Sequence, residues 1–203
     1  MSRGRFITLE GVDGAGKSTH VAFIAGRLRA QGREVVVTRE PGGTPLAEKL
    51  RQLVLAEPMD ALAETLLLFA ARADHVARLI RPALDAGRWV VCDRFTDATA
   101  AYQGAGKGVP KELIERLAAA AHPGLQPDRT LVFDCSYEVA CQRLSATGRP
   151  LDRFEREGRE FFEKVRHAYL ERVRNNPMRI HLIDAASSLE NIKEELERSI
   201  ASI

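Results

Sequence analysis

The chain has 203 residues, 45% of them hydrophobic and 29% charged, a composition that suits one globular domain with a sizeable core. Its 30 basic and 28 acidic residues leave a formal net charge of +2, too even a balance for a generic binder of nucleic acid or of an acidic membrane surface. Any anion must therefore be met by individually placed cations.

Met1 to Arg5 contain no apolar signal-like run, and no stretch of the chain is apolar over the length of a membrane span. Cys92, Cys135 and Cys141 are odd in number and lack metal-type spacing, which fits small buried residues in reducing surroundings. The expectation is a soluble, cytoplasmic protein.

Phe6–Glu10 reads as a first strand, followed by a Gly-rich segment and a helix from near Lys17 with Val21, Ile24, Ala25 and Leu28 on one face. Further strands are expected at Val35–Thr38, Trp89–Asp93, Thr130–Asp134 and Arg179–Asp184. Helices should start near Thr44, Ala61, Pro110, Ser136 and Glu155. A last helix has Ser187-x-x-Glu190 as a capping box and Leu189, Ile192, Leu196 and Ile200 as its buried stripe. The strands are mostly continuous apolar runs, as in a parallel sheet covered on both faces. This alternation predicts an α/β fold: an open, parallel, five-stranded sheet with helices on both faces, in one domain over residues 1–203. Ligands of such sheets bind beyond the C-terminal strand ends, where Glu10, Thr38-Arg39-Glu40 and Asp93-Arg94 fall.

Gly11-Val12-Asp13-Gly14-Ala15-Gly16-Lys17-Ser18, with Thr19 next, matches Gly-x-x-x-x-Gly-Lys-Ser between a strand and a helix. The glycines let backbone N–H groups turn inward around phosphate, and the helix N-terminus adds its positive dipole end. Lys17 would neutralise the β- and γ-phosphates, and the Ser18 hydroxyl would help to hold Mg²⁺. Gly104-Ala105-Gly106-Lys107-Gly108 looks similar, but Gly108 stands where a hydroxyl is needed; it reads as a flexible loop.

Trp89–Asp93 would deliver the Asp93 carboxylate toward Mg²⁺ and Ser18. Arg94, a permanently charged fork, suits a second phosphate, although an ordinary strand-end ion pair is the plainer alternative. No Asn-Lys-x-Asp base-reading motif occurs. A kinase with two phosphate-bearing ligands explains these residues better than a GTPase.

The segments Gly11–Thr19, Thr38–Thr44 (Thr-Arg-Glu-Pro-Gly-Gly-Thr), Phe69–Arg72 (Phe-Ala-Ala-Arg), Asp93-Arg94-Phe95 and Ala101–Gly104 (Ala-Tyr-Gln-Gly) resemble those of bacterial thymidylate kinases, and the likeness covers nearly the whole chain. The resemblance implies a P-loop NTPase-type fold and transfer of the γ-phosphate of ATP to dTMP, with Mg²⁺, to give dTDP for dTTP synthesis. It also implies a homodimer formed through helices. It places Arg94 on the dTMP phosphate with Arg39 and Arg51 nearby, and Asp13 near the sugar 3′-hydroxyl. Glu40 and Pro41 fall on the substrate side, and Tyr102 lies where a ribose 2′-hydroxyl would be.

Within that resemblance, Leu62, Leu66, Phe69, Ala73, Val76 and Ile80 form a helical stripe expected to face the core. Arg72 lies one position off it, within reach of Phe69. An aromatic ring on thymine beside a donor to its O4 makes a sensible base pocket, with Thr99 and Gln103 completing it. Phe69 could equally be core. Some relatives space the stacking Phe and the arginine by four, and here Leu68 holds that place, so the stacking partner stays open between Phe69 and a neighbour.

Arg143, Arg149, Arg153 and Arg156 cluster around the Thr147-Gly148-Arg149-Pro150 break, a lid at about residues 143–157. Thymidylate kinases place a catalytic arginine in the phosphate loop or in the lid. Val12 to Ala15 carry no base, so Arg153 and Arg149 are the candidates for transition-state charge. The five histidines read as structural or surface residues, with His75 one turn past Arg72, and Glu155–Glu163 reads as a helix with a wet face. Two rivals remain: a kinase of another monophosphate or of a non-nucleotide acceptor, and a slowly hydrolysing regulatory module.

Overall fold

The computed structural model describes residues 3–203. Five strands, β1 (Phe6–Gly11), β2 (Val35–Arg39), β3 (Trp89–Asp93), β4 (Arg129–Asp134) and β5 (Ile180–Asp184), lie parallel in the order β2-β3-β1-β4-β5. Strand β1 is central and buried along its whole length, with Leu9 in register between Asp93 and Leu131. Its side chains alternate, as strand geometry requires. Ile7 and Leu9 join the core under α1 (Lys17–Ala30) and α9 (Leu189–Ala201), and Phe6 faces Ile80 and Leu84 on the other side. The α/β expectation holds, and the expected stripes of α1 (Val21, Ile24, Ala25, Leu28) and of α9 (Ile192, Leu196, Ile200) are buried, whereas Leu189, expected in the α9 stripe, is 46% exposed at the first turn of the helix.

The remaining helices are α2 (Pro45–Ala56), α3 (Ala61–His75), α4 (Arg81–Asp85), α5 (Thr96–Thr99), α6 (Lys111–Ala121), α7 (Tyr137–Ala146) and α8 (Arg159–Asn175). The Thr44 hydroxyl caps α2, Asp60 caps α3 and Ser136 caps α7. Two π-helical stretches, Val76–Ile80 and Ala100–Gly106, extend α3 and α5. Neither has a signature in the sequence: the first continues an α-helical residue pattern, and the glycines at the end of the second read as a loop.

Four local readings need correction. Helix α8 starts at Arg159, because the Asp152 carboxylate binds the amides of Phe154 and Glu155 and folds that stretch into a turn. Ser188, not Ser187, caps α9; Ser187 Oγ bonds Asp184 instead. The Gly104-Ala105-Gly106 stretch continues the π-helical turn and packs tightly, leaving no room for a Cβ at Gly106 against the Phe161 ring. Lastly, Leu62 and Leu66 do not face the core: they are 45% and 47% exposed. The buried face of α3 carries Glu64, Leu68, Phe69, Arg72 and His75. Its polar members are buried because each is hydrogen-bonded, and the π turn then re-phases the chain so that Val76 and Ile80 still reach the core.

Candidate active site

All functional side chains cluster at the C-terminal edge of β1, β2 and β3. Gly11 ends β1 with φ +126°, and a Cβ there would lie 2.2 Å from the Phe133 carbonyl oxygen, so only glycine turns the chain here. Asp13, Gly14, Ala15, Gly16, Lys17, Ser18 and Thr19 line a wide cleft together with Arg39, Asp93, Arg143, Arg149 and the Ala185 to Ser187 turn. Gly11 and Val12 lie behind the loop. Lys17 Nζ donates to the carbonyls of Gly11 (3.1 Å) and Val12 (2.8 Å). Burial, and then Arg94, lower its pKa to about 8 against the pull of Asp13 and Asp93.

Arg94 is the hub. Nη1 donates to the Gly11 carbonyl (2.9 Å) and to the Tyr169 hydroxyl (3.2 Å), while Nη2 donates to Asp13 Oδ1 (2.5 Å) and to the Tyr102 hydroxyl (3.0 Å). Each tyrosine hydroxyl in turn donates a hydrogen bond to a carboxylate: Tyr102 to Asp13 at 2.8 Å and Tyr169 to Glu10 at 2.8 Å. Arg94 has φ +69°, the only non-glycine residue with positive φ among the described residues. That backbone costs about 1–3 kcal/mol and is held by the four side-chain bonds. Burial alone would raise the Asp13 pKa, but Arg94 and Lys17 outweigh it and hold the group ionised. Glu10 lies deeper, fully buried, and accepts from the amides of Phe95 (2.7 Å) and Ala98 (3.3 Å). Burial, aided by Asp97, pushes its pKa up to about 7.

A second pocket opens on the far side of Arg94, lined by Pro41, Leu68, Arg72, Phe95, Thr99, Tyr102, Gln103 and Phe154. Arg72 is 3% exposed; Nε binds Glu40 Oε2 at 2.6 Å and Nη2 binds Thr99 Oγ1 at 3.1 Å, while Nη1 is buried with no partner. An orphaned donor in a pocket wall calls for an acceptor from a ligand. His75 Nδ1 donates to the other Glu40 oxygen at 3.0 Å, and Thr38 Oγ1 holds its Nε2 at 2.7 Å. Both oxygens of Glu40 are thus engaged within the chain, and the carboxylate fixes Arg72. Gly43 has φ +85° and approaches His75 and Thr38 so closely that a Cβ would meet both at about 2.5 Å.

Phe69 does not line this pocket. Its ring lies 4.7 Å from the Arg72 guanidinium, within a cluster with Val109 and Ile114, and Leu68 faces the cavity instead. Arg51 lines both clefts and donates to the Pro41 carbonyl at 3.0 Å, whereas Arg39 pairs with Glu48 at 3.0 Å. Asp13, Glu40, Arg51, Arg94 and Asp152 are shared by the two clefts.

The lid arginines divide. Arg149 lines the wide cleft and forms a two-pronged pair with Glu155. Arg143 lines it too, donating to the carbonyls of Ala15 (3.3 Å) and Ala185 (2.7 Å). Arg153 lines neither cleft described above; it is bound to Glu64 and to the Val54 carbonyl (2.8 Å). The Arg153 guanidinium, expected to supply charge to the phosphates, is here turned onto α2 and α3.

Mg²⁺ suits the donors present. One oxygen of Asp93, Oδ1, is buried without a partner, and the Ser18 hydroxyl lines the same cleft. Both are hard oxygen donors. No group of three or more His, Cys, Asp or Glu that could hold a metal occurs among the described residues. No helix of the described residues is long and apolar enough to cross a membrane.

The sequence placed Glu10 at a strand end and His75 one turn past Arg72 but gave neither a partner, and it did not assign Tyr169 to the site. Glu10 and Tyr169 are 159 positions apart, and no local spacing links them. Arg143 was visible only as one member of a basic cluster.

Residues 9–196 match the family model described as thymidylate kinase. The thymidylate kinase of Methylobacillus flagellatus is 55% identical over 194 residues, covering 96% of this chain and 95% of that protein. That of Pseudomonas putida is 56% identical over 203 residues, covering 98% and 96%. The crystal structure of thymidylate kinase from Ehrlichia chaffeensis superposes with a TM-score of 0.80 at 32% identity, over 98% of this chain and 99% of that one. With a family model matched over residues 9–196 and relatives 55–56% identical over nearly the whole length, the chain belongs to the thymidylate kinase family.

Proposed function

We propose that this chain transfers the γ-phosphate of ATP to dTMP, giving ADP and dTDP for dTTP synthesis. The observation that carries the reading is the shared wall: the phosphate-loop cleft and the Arg72 pocket meet at Asp13 and Arg94. ATP in the first and a monophosphate in the second would bring donor and acceptor phosphates together at a fixed guanidinium, which is chiefly what phosphoryl transfer requires.

In this reading the loop amides, Lys17 and Thr19 hold the ATP phosphates, and Arg94, Arg51 and Arg39 surround the phosphates where the clefts meet. Arg72, Thr99 and Gln103 read the base, with Leu68 as the packing surface in place of Phe69. Tyr102 fills the space beside the sugar, and Asp13 serves the sugar and the phosphate environment. Asp93 and Ser18 would hold Mg²⁺, which when bound neutralises charge on the phosphates. Residues 143–157 act as a lid, and Arg149 with Arg143, not Arg153, supplies cationic charge over the transferring group. The chain works as one kinase unit. The three free cysteines support a reducing, cytoplasmic setting. A homodimer is supported by four exposed leucines, Leu46 and Leu53 on α2 and Leu62 and Leu66 on α3, each between 43% and 50% exposed.

The test is ADP release measured with dTMP, dUMP, CMP, AMP, GMP and UMP in turn. Turnover should be fastest with dTMP; a preference for any purine monophosphate, or ADP release independent of an acceptor, would refute the proposal.

A further inference from the structure

Glu64 is fully buried on α3 and lines neither cleft of the site, yet donors from three separate parts of the chain converge on it. Gln103 Nε2 reaches Oε1 at 2.7 Å, Lys107 Nζ reaches Oε2 at 2.8 Å, and Arg153 Nη2 shares Oε2. Gln103 belongs to the acceptor-pocket wall, Lys107 to the glycine-rich turn after it, and Arg153 to the lid. The two cations also flank one lid ring: Lys107 Nζ is 4.7 Å and the Arg153 guanidinium 4.9 Å from the centre of Phe154. Phe154 in turn lines the acceptor pocket and meets Tyr102 edge-on at 6.0 Å.

A carboxylate this buried needs compensation, but one cation would serve a purely structural pair. Here the compensation is drawn from the pocket and the lid at once. Because a carboxylate only accepts, the Gln103 amide must present its NH₂ to Glu64, which leaves its carbonyl as the end free for a ligand. The same carboxylate pins the lid through Arg153. Anything that tightens one set of bonds therefore favours the other, and such coupling is reciprocal.

We propose that Glu64 is a positioning residue that couples occupancy of the acceptor pocket to closure of the lid, an inference that rests on the assignment of that pocket to dTMP. With dTMP bound, Gln103 is held, Glu64 stays fixed, and Arg153 draws the lid down over the pocket. Arg153 then serves as a latch, which explains why it lies away from the phosphates.

The experiment is limited trypsin digestion of the full chain, reading cleavage after Arg156 in the lid, with and without dTMP and with ATP alone. Wild type, Glu64→Gln, Arg153→Met and the double variant are compared, alongside KM for each substrate. We expect dTMP to slow wild-type cleavage about fivefold or more, and each single variant to lose that protection, the double variant losing no more than either. KM for dTMP should rise about tenfold while KM for ATP changes less than about threefold. Arg153 is partly exposed, so its variant reports even if Glu64→Gln fails to fold. Protection by dTMP that survives in Arg153→Met, or a parallel rise of both KM values, overturns the coupling. A wild type that neither binds nor phosphorylates dTMP overturns the proposed function along with it, whereas turnover of dTMP without latch-dependent protection overturns the coupling alone.

Discussion

Arg94 Nη2 lies 2.5 Å from Asp13 Oδ1 at the seam between the donor and acceptor clefts, and Tyr102 bridges the pair by accepting from Arg94 and donating to Asp13. The guanidinium is therefore fixed before any ligand arrives, and in the proposed reading its charge serves the acceptor side. Lys17, by contrast, is rooted in the phosphate loop. Arg94→Ala should lower kcat/KM for dTMP about 10²–10³-fold and leave ATP affinity within about threefold by calorimetry. Lys17→Ala should damage ATP binding instead. Equal loss of ATP affinity in both would show that the site is not divided this way.

Glu10 makes its own contribution to how stability depends on pH. Its folded pKa, raised to about 7 mainly by burial, exceeds the ordinary carboxylate value. Its contribution is thus full below about pH 4.5 and is lost as pH rises through about 7. Between pH 5 and pH 8, urea denaturation should show wild type losing about 2–3 kcal/mol relative to Glu10→Gln. Parallel pH profiles for the two proteins would contradict this origin.

Arg72 offers a buried, unpartnered Nη1 to the acceptor pocket. Thymine presents a carbonyl at position 4, whereas cytosine presents an amine, so dCMP should be a poor substrate. Arg72→Met should shrink the dTMP-to-dCMP ratio of kcat/KM about 100-fold. It should also cost about 3–5 kcal/mol of stability, because Glu40 loses its charged partner in a buried pair. Adding Glu40→Gln to that variant should recover part of the stability.

The lid arginines should separate in single-turnover experiments. Arg149→Met should slow the chemical step about 100-fold, since Arg149 lines the phosphate cleft. Arg153→Met should slow it less than about tenfold at saturating dTMP, because that guanidinium is bound to Glu64. The reverse order would return the catalytic role to Arg153.

Leu62 and Leu66 are about half exposed on α3, an apolar face that a partner chain would cover. Leu62→Glu with Leu66→Glu should convert a dimer to a monomer in light scattering while far-ultraviolet circular dichroism stays unchanged. A wild type already monomeric would dismiss the dimer.

What the sequence made legible was local in space and in chain. The phosphate loop is eight consecutive residues with a required strand and helix around it, and Asp93-Arg94 sits where a strand visibly ends. Arg72, Thr99 and Gln103 could be placed through their motifs. The supports of these residues could not, since Glu10 meets Tyr169 across 159 positions and His75 meets Glu40 across 35. Side-chain bonds of that span leave no periodic trace. The stripe through Leu62 and Leu66 misled for a different reason: apolar periodicity shows that a face is covered, but not by what. In the lid, a basic cluster does not reveal which of its members has a buried acid to meet, as Arg153 meets Glu64.

The left-handed backbone at Arg94 is a strain that the residue's own side chain holds in place. Glycine would relax that φ at no steric cost and asparagine at little, but either would also strip Asp13 of its charged partner and empty four hydrogen bonds, a loss at least as large as the strain relieved. A library selected for melting temperature alone should therefore find no gain at residue 94, and one selected for turnover should retain the same strained arginine.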